Sequence, residues 1–133
     1  VAVRRLSLPK KHVTTPQAPQ PIGPYSQGVI AGGFLFLSGQ IALDPATNQV
    51  VQGDIEAQTE QVLKNILAVL KEAKMGPEHV VKTSVFLLDM ADFPRMNDVY
   101  ARYLGKEPPA RTTVQAAGLP RGARVEIDVI AAF

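Results

Sequence analysis

The sequence has no cysteine and no tryptophan, and only two of its 133 residues are histidine, His12 and His79. Without cysteine there is no disulfide framework, no thiolate nucleophile and no thiolate zinc site. Two histidines so far apart complete a catalytic or metal site only if the fold brings carboxylates to them. His79 is the one realistic base for a serine nucleophile, because His12 falls in a stretch expected to be a tail. No apolar run approaches the ~20 residues of a membrane-spanning helix. Aromatic residues are limited to three tyrosines and five phenylalanines, and none stands in an RNA-stacking motif. Chemistry is left to Arg, Lys, Asp, Glu, Tyr and water.

Acidic residues are also missing from the first third of the chain. Residues 1–43 hold Arg4, Arg5, Lys10 and Lys11 and no acid, whereas residues 44–133 hold 10 basic and 12 acidic groups. The net charge of +2 therefore belongs to the N-terminal stretch and not to the body. A body in acid–base balance argues against a broad nucleic-acid-binding face, which needs clustered Lys and Arg. The start, VAVRRLSLPKKHV, is basic and has no long apolar core like that of a secretory signal. It reads as a basic tail over residues 1–13 followed by one domain over 14–133. A cytoplasmic protein is expected, with a mitochondrial or other organelle address as the alternative reading of the tail.

What is present divides into clear elements. Pro16, Pro19, Pro21 and Pro24 keep the stretch before Tyr25 out of helix. Val29-Ile30, Ala31-Gly32-Gly33 and Phe34–Leu37 predict a hairpin around a glycine turn. Asp44-Pro45-Ala46-Thr47-Asn48 predicts a second turn. Residues 54–75 predict a helix, with Asp54 as its cap, Val62, Leu63, Ile66, Leu67, Leu70 and Ala73 at helical spacing, and Gly76-Pro77 as its stop. Residues 80–88 have strand composition. Asp92 is expected to cap a second helix that ends at Gly105, and strands follow at about 111–116 and 124–132. The order is that of an α+β protein, a mixed β-sheet with two helices packed on one face. The uncovered face of such a sheet calls for an oligomer if it is apolar.

Three places offer chemistry. In the last strand Val125, Ile127, Val129 and Ala131 alternate with Arg124, Glu126, Asp128 and Ile130, so Glu126 and Asp128 share a face. Such a pair either does acid–base work after burial separates the two pKa values or meets water as a polar face, its repulsion relieved by Arg124. Arg111 follows the stiff Pro108-Pro109-Ala110 approach and offers a planar fork suited to a carboxylate; an exposed surface arginine is the plainer reading. Tyr25, between Pro24 and Gly28, either lines a pocket or packs at the domain edge. Gly32-Gly33 and Ser38-Gly39-Gln40 lack the spacing of a phosphate loop.

These fragments together resemble a known family. IGPYSQG at 22–28, LSGQI at 37–41, TEQVLKNILAVLKEA at 59–73, VVKTSVFLLDMADFPRMNDVY at 80–100, PPARTTVQAAGLP at 108–120 and VEIDVIA at 125–131 are similar to the reactive-intermediate deaminases, the Rid/YjgF (or L-PSP) family. The resemblance runs from about residue 14 to the end of the chain. It implies a chorismate-mutase-like α+β fold assembled as a homotrimer around a central barrel, with small-molecule clefts between subunits. It also implies cofactor- and metal-free hydrolysis of 2-imino acids, the products of pyridoxal-phosphate-dependent dehydratases, to 2-oxo acids and ammonia. That is a 2-iminobutanoate/2-iminopropanoate deaminase activity.

By position, the resemblance makes Arg111 the grip on the substrate carboxylate and Glu126 the glutamate beside the attacking water. Tyr25, Phe93 and Asn97 match pocket residues, and Gly39 matches the glycine of the turn that borders the cleft. Thr113 stands where relatives often carry cysteine or a small residue, so no thiol takes part here, and Thr112 is larger than the pattern suggests. Partial burial at a subunit junction is expected to raise the Glu126 pKa. Two other readings attach to the same family: an RNA-directed translation inhibitor or endoribonuclease, which the balanced body disfavours, and a non-catalytic sensor or chaperone binding small carboxylates.

Overall fold

The computed structural model describes residues 9–133; residues 1–8, with Arg4 and Arg5 of the expected tail, lie outside the described residues. Six strands form one mixed sheet: β1 (Lys11–Val13), β2 (Gly28–Ala31), β3 (Phe34–Gln40), β4 (Val80–Leu87), β5 (Ala110–Gln115) and β6 (Val125–Ala132). Their order across the sheet is β1-β2-β3-β6-β4-β5. All neighbours are antiparallel except β4 and β5, which are joined by a helix, as a parallel connection requires. The two helices are α1 (Ile55–Glu72) and α2 (Phe93–Leu104).

Local chemistry explains the main elements. Asp54 caps α1 by accepting the Ala57 N–H at 3.0 Å. The apolar stripe of α1 (Ile55, Val62, Leu63, Ile66, Val69, Leu70) is fully buried against Leu35, Leu37, Val125, Ile127 and Val129 of the sheet. Met96, Val99 and Leu104 of α2 join the same core. The β2–β3 hairpin turns on Gly32 and Gly33, at φ 59° and 84°, positive values that a two-residue primed turn requires. The alternation in β6 is as expected: Val125, Ile127, Val129 and Ala131 face the helices, while Glu126, Asp128 and Ile130 face the open side.

Four details differ from the sequence reading. The helix α1 stops at Glu72, and the left-handed residue after it is Lys74 (φ 63°), not Gly76. Asp92 makes no capping hydrogen bond; its carboxylate is buried and accepts both of its bonds from the Arg124 guanidinium, at 2.9 and 3.0 Å. Arg124 is therefore committed to Asp92 and does not offset Glu126 and Asp128. His12 belongs to β1, paired with Val29, and its Nδ1 lies 2.6 Å from Ser26 Oγ. Residues 11–13, expected in the tail, are thus an edge strand. His79 is not a free base: its Nδ1 accepts the Gly76 N–H at 3.0 Å within a tight turn.

The face away from the helices is mixed. Phe34 and Phe36 are 43% and 45% exposed there, with ring centroids 6.3 Å apart. A broad hollow of about 780 Å³ runs over this face past His12, Phe36, Lys82, Asp128 and Ile130.

Candidate functional site

Glu126 projects from β6 onto the open side, at the rim of the β3–β6 pair. The ladder there runs from Leu37↔Val129 to Gln40↔Ile127, so β3 spends one residue more than β6. That extra residue is a bulge at Ser38–Gly39, a device that re-aims a strand locally. The bulge brings Gly39 against Glu126: a Cβ at residue 39 would stand 2.9 Å from the Glu126 carboxyl carbon. The missing side chain is the room the carboxylate occupies.

Beside this pair is a hollow of about 340 Å³ lined by Ile22, Tyr25, Gly39, Gln40, Pro120 and Glu126, among others. Burial pushes the Glu126 carboxyl above its ordinary value, and the negative charge of Asp128 adds to the rise. Desolvation within the chain itself is the larger cause, whereas the expected rise was one from burial at a subunit junction. Tyr25 is 50% exposed at the edge of the hollow, where its hydroxyl takes a long 3.4 Å bond from the Ile22 N–H.

Two buried amides that the sequence reading passed over hold the walls. Gln27, 2% exposed, accepts the Thr15 N–H at 2.7 Å and donates to Thr15 O and Pro19 O at 3.0 and 2.9 Å. It ties the proline-rich strap to the sheet. Asn65 donates to Leu43 O at 2.9 Å and fixes the segment after β3. The available signal for Asn65 was a polar residue inside an apolar helical stripe; Gln27 had none.

Arg111 is elsewhere. It lies on the edge strand β5, in parallel register with Thr83 of β4. Thr83 is buried on the helix side, and the half-buried Arg111 lies on that side too, its guanidinium carbon 4.7 Å from the Tyr100 ring centroid and 5.4 Å from that of Phe93. A hollow of about 350 Å³ opens beside it, lined by Asn97, Tyr100, Pro108, Pro109 and Arg111 with Ala101 and Gly105. Thr113, two residues on, is half-buried on the same side, and Thr112 is exposed. Among the described residues Arg111 makes no ion pair, whereas Arg95 and Arg124 are both bound to carboxylates.

The expected site residues thus fall into two groups. Tyr25, Gly39 and Glu126 line one hollow; Asn97 and Arg111 line the other, with Phe93 against Arg111 and Thr113 two residues along the strand. They lie on opposite faces of the sheet. Within one chain the guanidinium and the carboxylate do not meet over a single small molecule. Among the described residues no group of three His, Asp or Glu side chains is arranged to hold a metal ion, and no helix is long and apolar enough to cross a membrane.

A six-stranded mixed sheet backed by two helices, with a bulged strand facing a half-buried glutamate, defines a class of small single-domain α+β proteins. Residues 15–133 match the family described as Endoribonuclease L-PSP. The chain is 53% identical over 131 residues to Protein DfrA of Myxococcus xanthus, with 97% of this chain and 98% of that protein covered. It is 44% identical over 131 residues to the chloroplastic Reactive Intermediate Deaminase A of Arabidopsis thaliana, with 98% of this chain and 70% of that one covered. The crystal structure of E. coli TdcF with bound serine superimposes with a TM-score of 0.88 at 36% identity, covering 92% of this chain and 98% of that one. The chain belongs to the L-PSP family, also called Rid/YjgF.

Proposed function

We propose that this protein hydrolyses reactive 2-imino acids to 2-oxo acids and ammonia, in clefts formed between copies of the chain in a homotrimer. The observation that carries the reading is Arg111, a half-buried arginine without an ion-pair partner among the described residues, its guanidinium carbon over the Tyr100 and Phe93 rings. A guanidinium held this way offers in-plane N–H groups to a substrate carboxylate. Such a charge-assisted contact contributes about 1.5–3 kcal/mol, enough to fix one orientation of a small acid.

The reaction asks little more of the protein. Ionised Glu126 takes a proton from water as the oxygen bonds to C2 of the iminium. The protonated carboxyl then returns that proton to the amine nitrogen, the C–N bond breaks with its electron pair leaving on ammonia, and loss of the hydroxyl proton gives the 2-oxo acid. One water is consumed and nothing is oxidised. Acid–base help of this kind is worth roughly 10²–10⁴ in rate, and it works best with a pKa raised toward neutrality, the direction in which burial moves Glu126. Because the two groups lie on opposite faces of one sheet, a neighbouring copy supplies the missing half of each cleft.

The test is ammonia release from freshly generated 2-aminoacrylate and its four-carbon homologue in a dehydratase-coupled assay. Arg111→Ala is expected to remain trimeric and to lose the acceleration; full activity in that variant would remove Arg111 as anchor. Binding of small carboxylates without turnover would instead favour the sensor or chaperone reading.

RNA cleavage is the second reading, resting on the description of the family and on Lys10 and Lys82 beside the open-face hollow. It requires RNA binding that falls steeply with salt.

A further inference from the structure

An arginine that must bind an anion needs its guanidinium plane fixed without having its charge neutralised. A neighbouring carboxylate fixes the plane but cancels the charge. An aromatic face attracts the cation through its quadrupole and carries no net charge, acting within about 6 Å of the centroid.

Helix α2 provides such faces. Phe93, Asn97 and Tyr100 are spaced i, i+4 and i+7 and therefore form one stripe, which lies over Arg111 with both ring centroids within reach. The two rings are not equally constrained. Tyr100 is 5% exposed, whereas Phe93 is only partly buried against the core. The Tyr100 hydroxyl is 2.7 Å from the Thr83 Oγ1, a side chain with no exposure at all. Thr83 in turn is the residue beside Arg111 in the β4–β5 ladder. The links form a closed circuit through three elements: Arg111 to Thr83 by the ladder, Thr83 to Tyr100 by a hydroxyl pair, Tyr100 back to Arg111 by its ring face.

We propose that Tyr100 is a positioning residue for Arg111: its ring, set by Thr83, holds the guanidinium plane so that the in-plane N–H edge is presented, still fully charged, to a planar carboxylate. This rests on the reading of Arg111 as the carboxylate anchor and adds how that anchor is kept both oriented and unneutralised.

The experiment uses the full chain, with 2-oxobutanoate as the binding probe, alongside imine turnover. Tyr100→Leu removes the ring and is expected to weaken 2-oxobutanoate binding on the order of three- to thirtyfold. KM should rise in parallel while kcat stays within about twofold, since the chemistry is left in place. Tyr100→Phe and Thr83→Val keep a ring but free it, and are expected to weaken binding by about two- to fivefold. A spectroscopic signature is expected with this: ring currents should shift the Arg111 side-chain protons upfield in the parent, and Tyr100→Leu should return them toward ordinary values.

A folded Tyr100→Leu that binds 2-oxobutanoate like the parent overturns the proposal. If that variant fails to fold, unchanged binding and unchanged Arg111 signals in both Tyr100→Phe and Thr83→Val overturn it. The anchor reading fails separately, by parental binding in Arg111→Ala; weakened binding there with none in folded Tyr100→Leu removes only the role of Tyr100.

Discussion

Gly39 and Glu126 face each other across the β3–β6 pair so closely that any side chain at residue 39 would take the place of the carboxylate, its Cβ standing 2.9 Å from the carboxyl carbon. The bulge that puts them there is a backbone feature and survives the substitution. Gly39→Ala is therefore expected to fold, to melt close to the parent, and to lose about tenfold or more in kcat, the scale on which a misplaced acid–base group is felt. A melting curve beside a turnover assay separates the two effects. Parental turnover in Gly39→Ala would mean the carboxylate position does not matter.

The raised pKa of Glu126 gives two pH dependences. As a base the group works ionised, so activity should fall away toward acid through a midpoint above the ordinary glutamate range. Asp128 contributes to that rise by like-charge repulsion. Asp128→Asn should accordingly move the acid limb to lower pH, and an unmoved limb would assign the limb to another group.

Stability should respond with the opposite preference. A carboxyl whose folded pKa is raised is held more easily neutral than charged, so its penalty is absent well below the ordinary glutamate value of 4.5. The penalty grows as pH rises from there and is complete once pH passes the folded value. Glu126→Gln removes the ionisation and should melt higher than the parent near pH 8, with the gap closing as the pH is lowered to about 4. Melting curves at both pH values check the sign.

How these features relate to the sequence depends on how local their causes are. The α1 helix was legible because a capping aspartate and an apolar period both act within one segment, and β6 because its alternation names its own two faces. The hairpin followed from two glycines that tolerate positive φ. The edge strand Lys11–Val13 was not legible: three residues carry no period, and what makes them a strand is pairing with β2. Asp92 had the look of a cap, yet a partner 32 residues away took its carboxylate. The resemblance singled out Arg111 and Glu126, but not that they lie on opposite faces, because that depends on register across three strands. Gly39 was matched as a border of the cleft; its contact with Glu126 arises from a bulge that no residue pattern announces.

The Asp92–Arg124 pair should behave as a structural bond. Asp92 is 7% exposed, so Arg124→Ala strands a buried carboxylate and is expected to cost about 2–4 kcal/mol in urea denaturation. Arg95→Ala, which breaks an exposed pair with Glu56, should barely register. Equal effects for the two would mean the burial of Asp92 is not what counts.

The placement of the two groups on opposite faces leads to the most demanding test of the cleft. If each cleft takes Arg111 from one copy and Glu126 from the next, Arg111→Ala and Glu126→Gln chains are each inactive alone but complementary together. Unfolded together in equal amounts and refolded, they assemble at random, and a cleft receives both intact residues one time in four. The mixture should then recover about a quarter of parental turnover, a value set by counting closed cyclic assemblies. Subunit exchange at other ratios should trace the product of the two fractions, with its maximum at equal mixing. A cleft built within one chain allows no recovery at any ratio, because every chain in the mixture lacks one of the two residues.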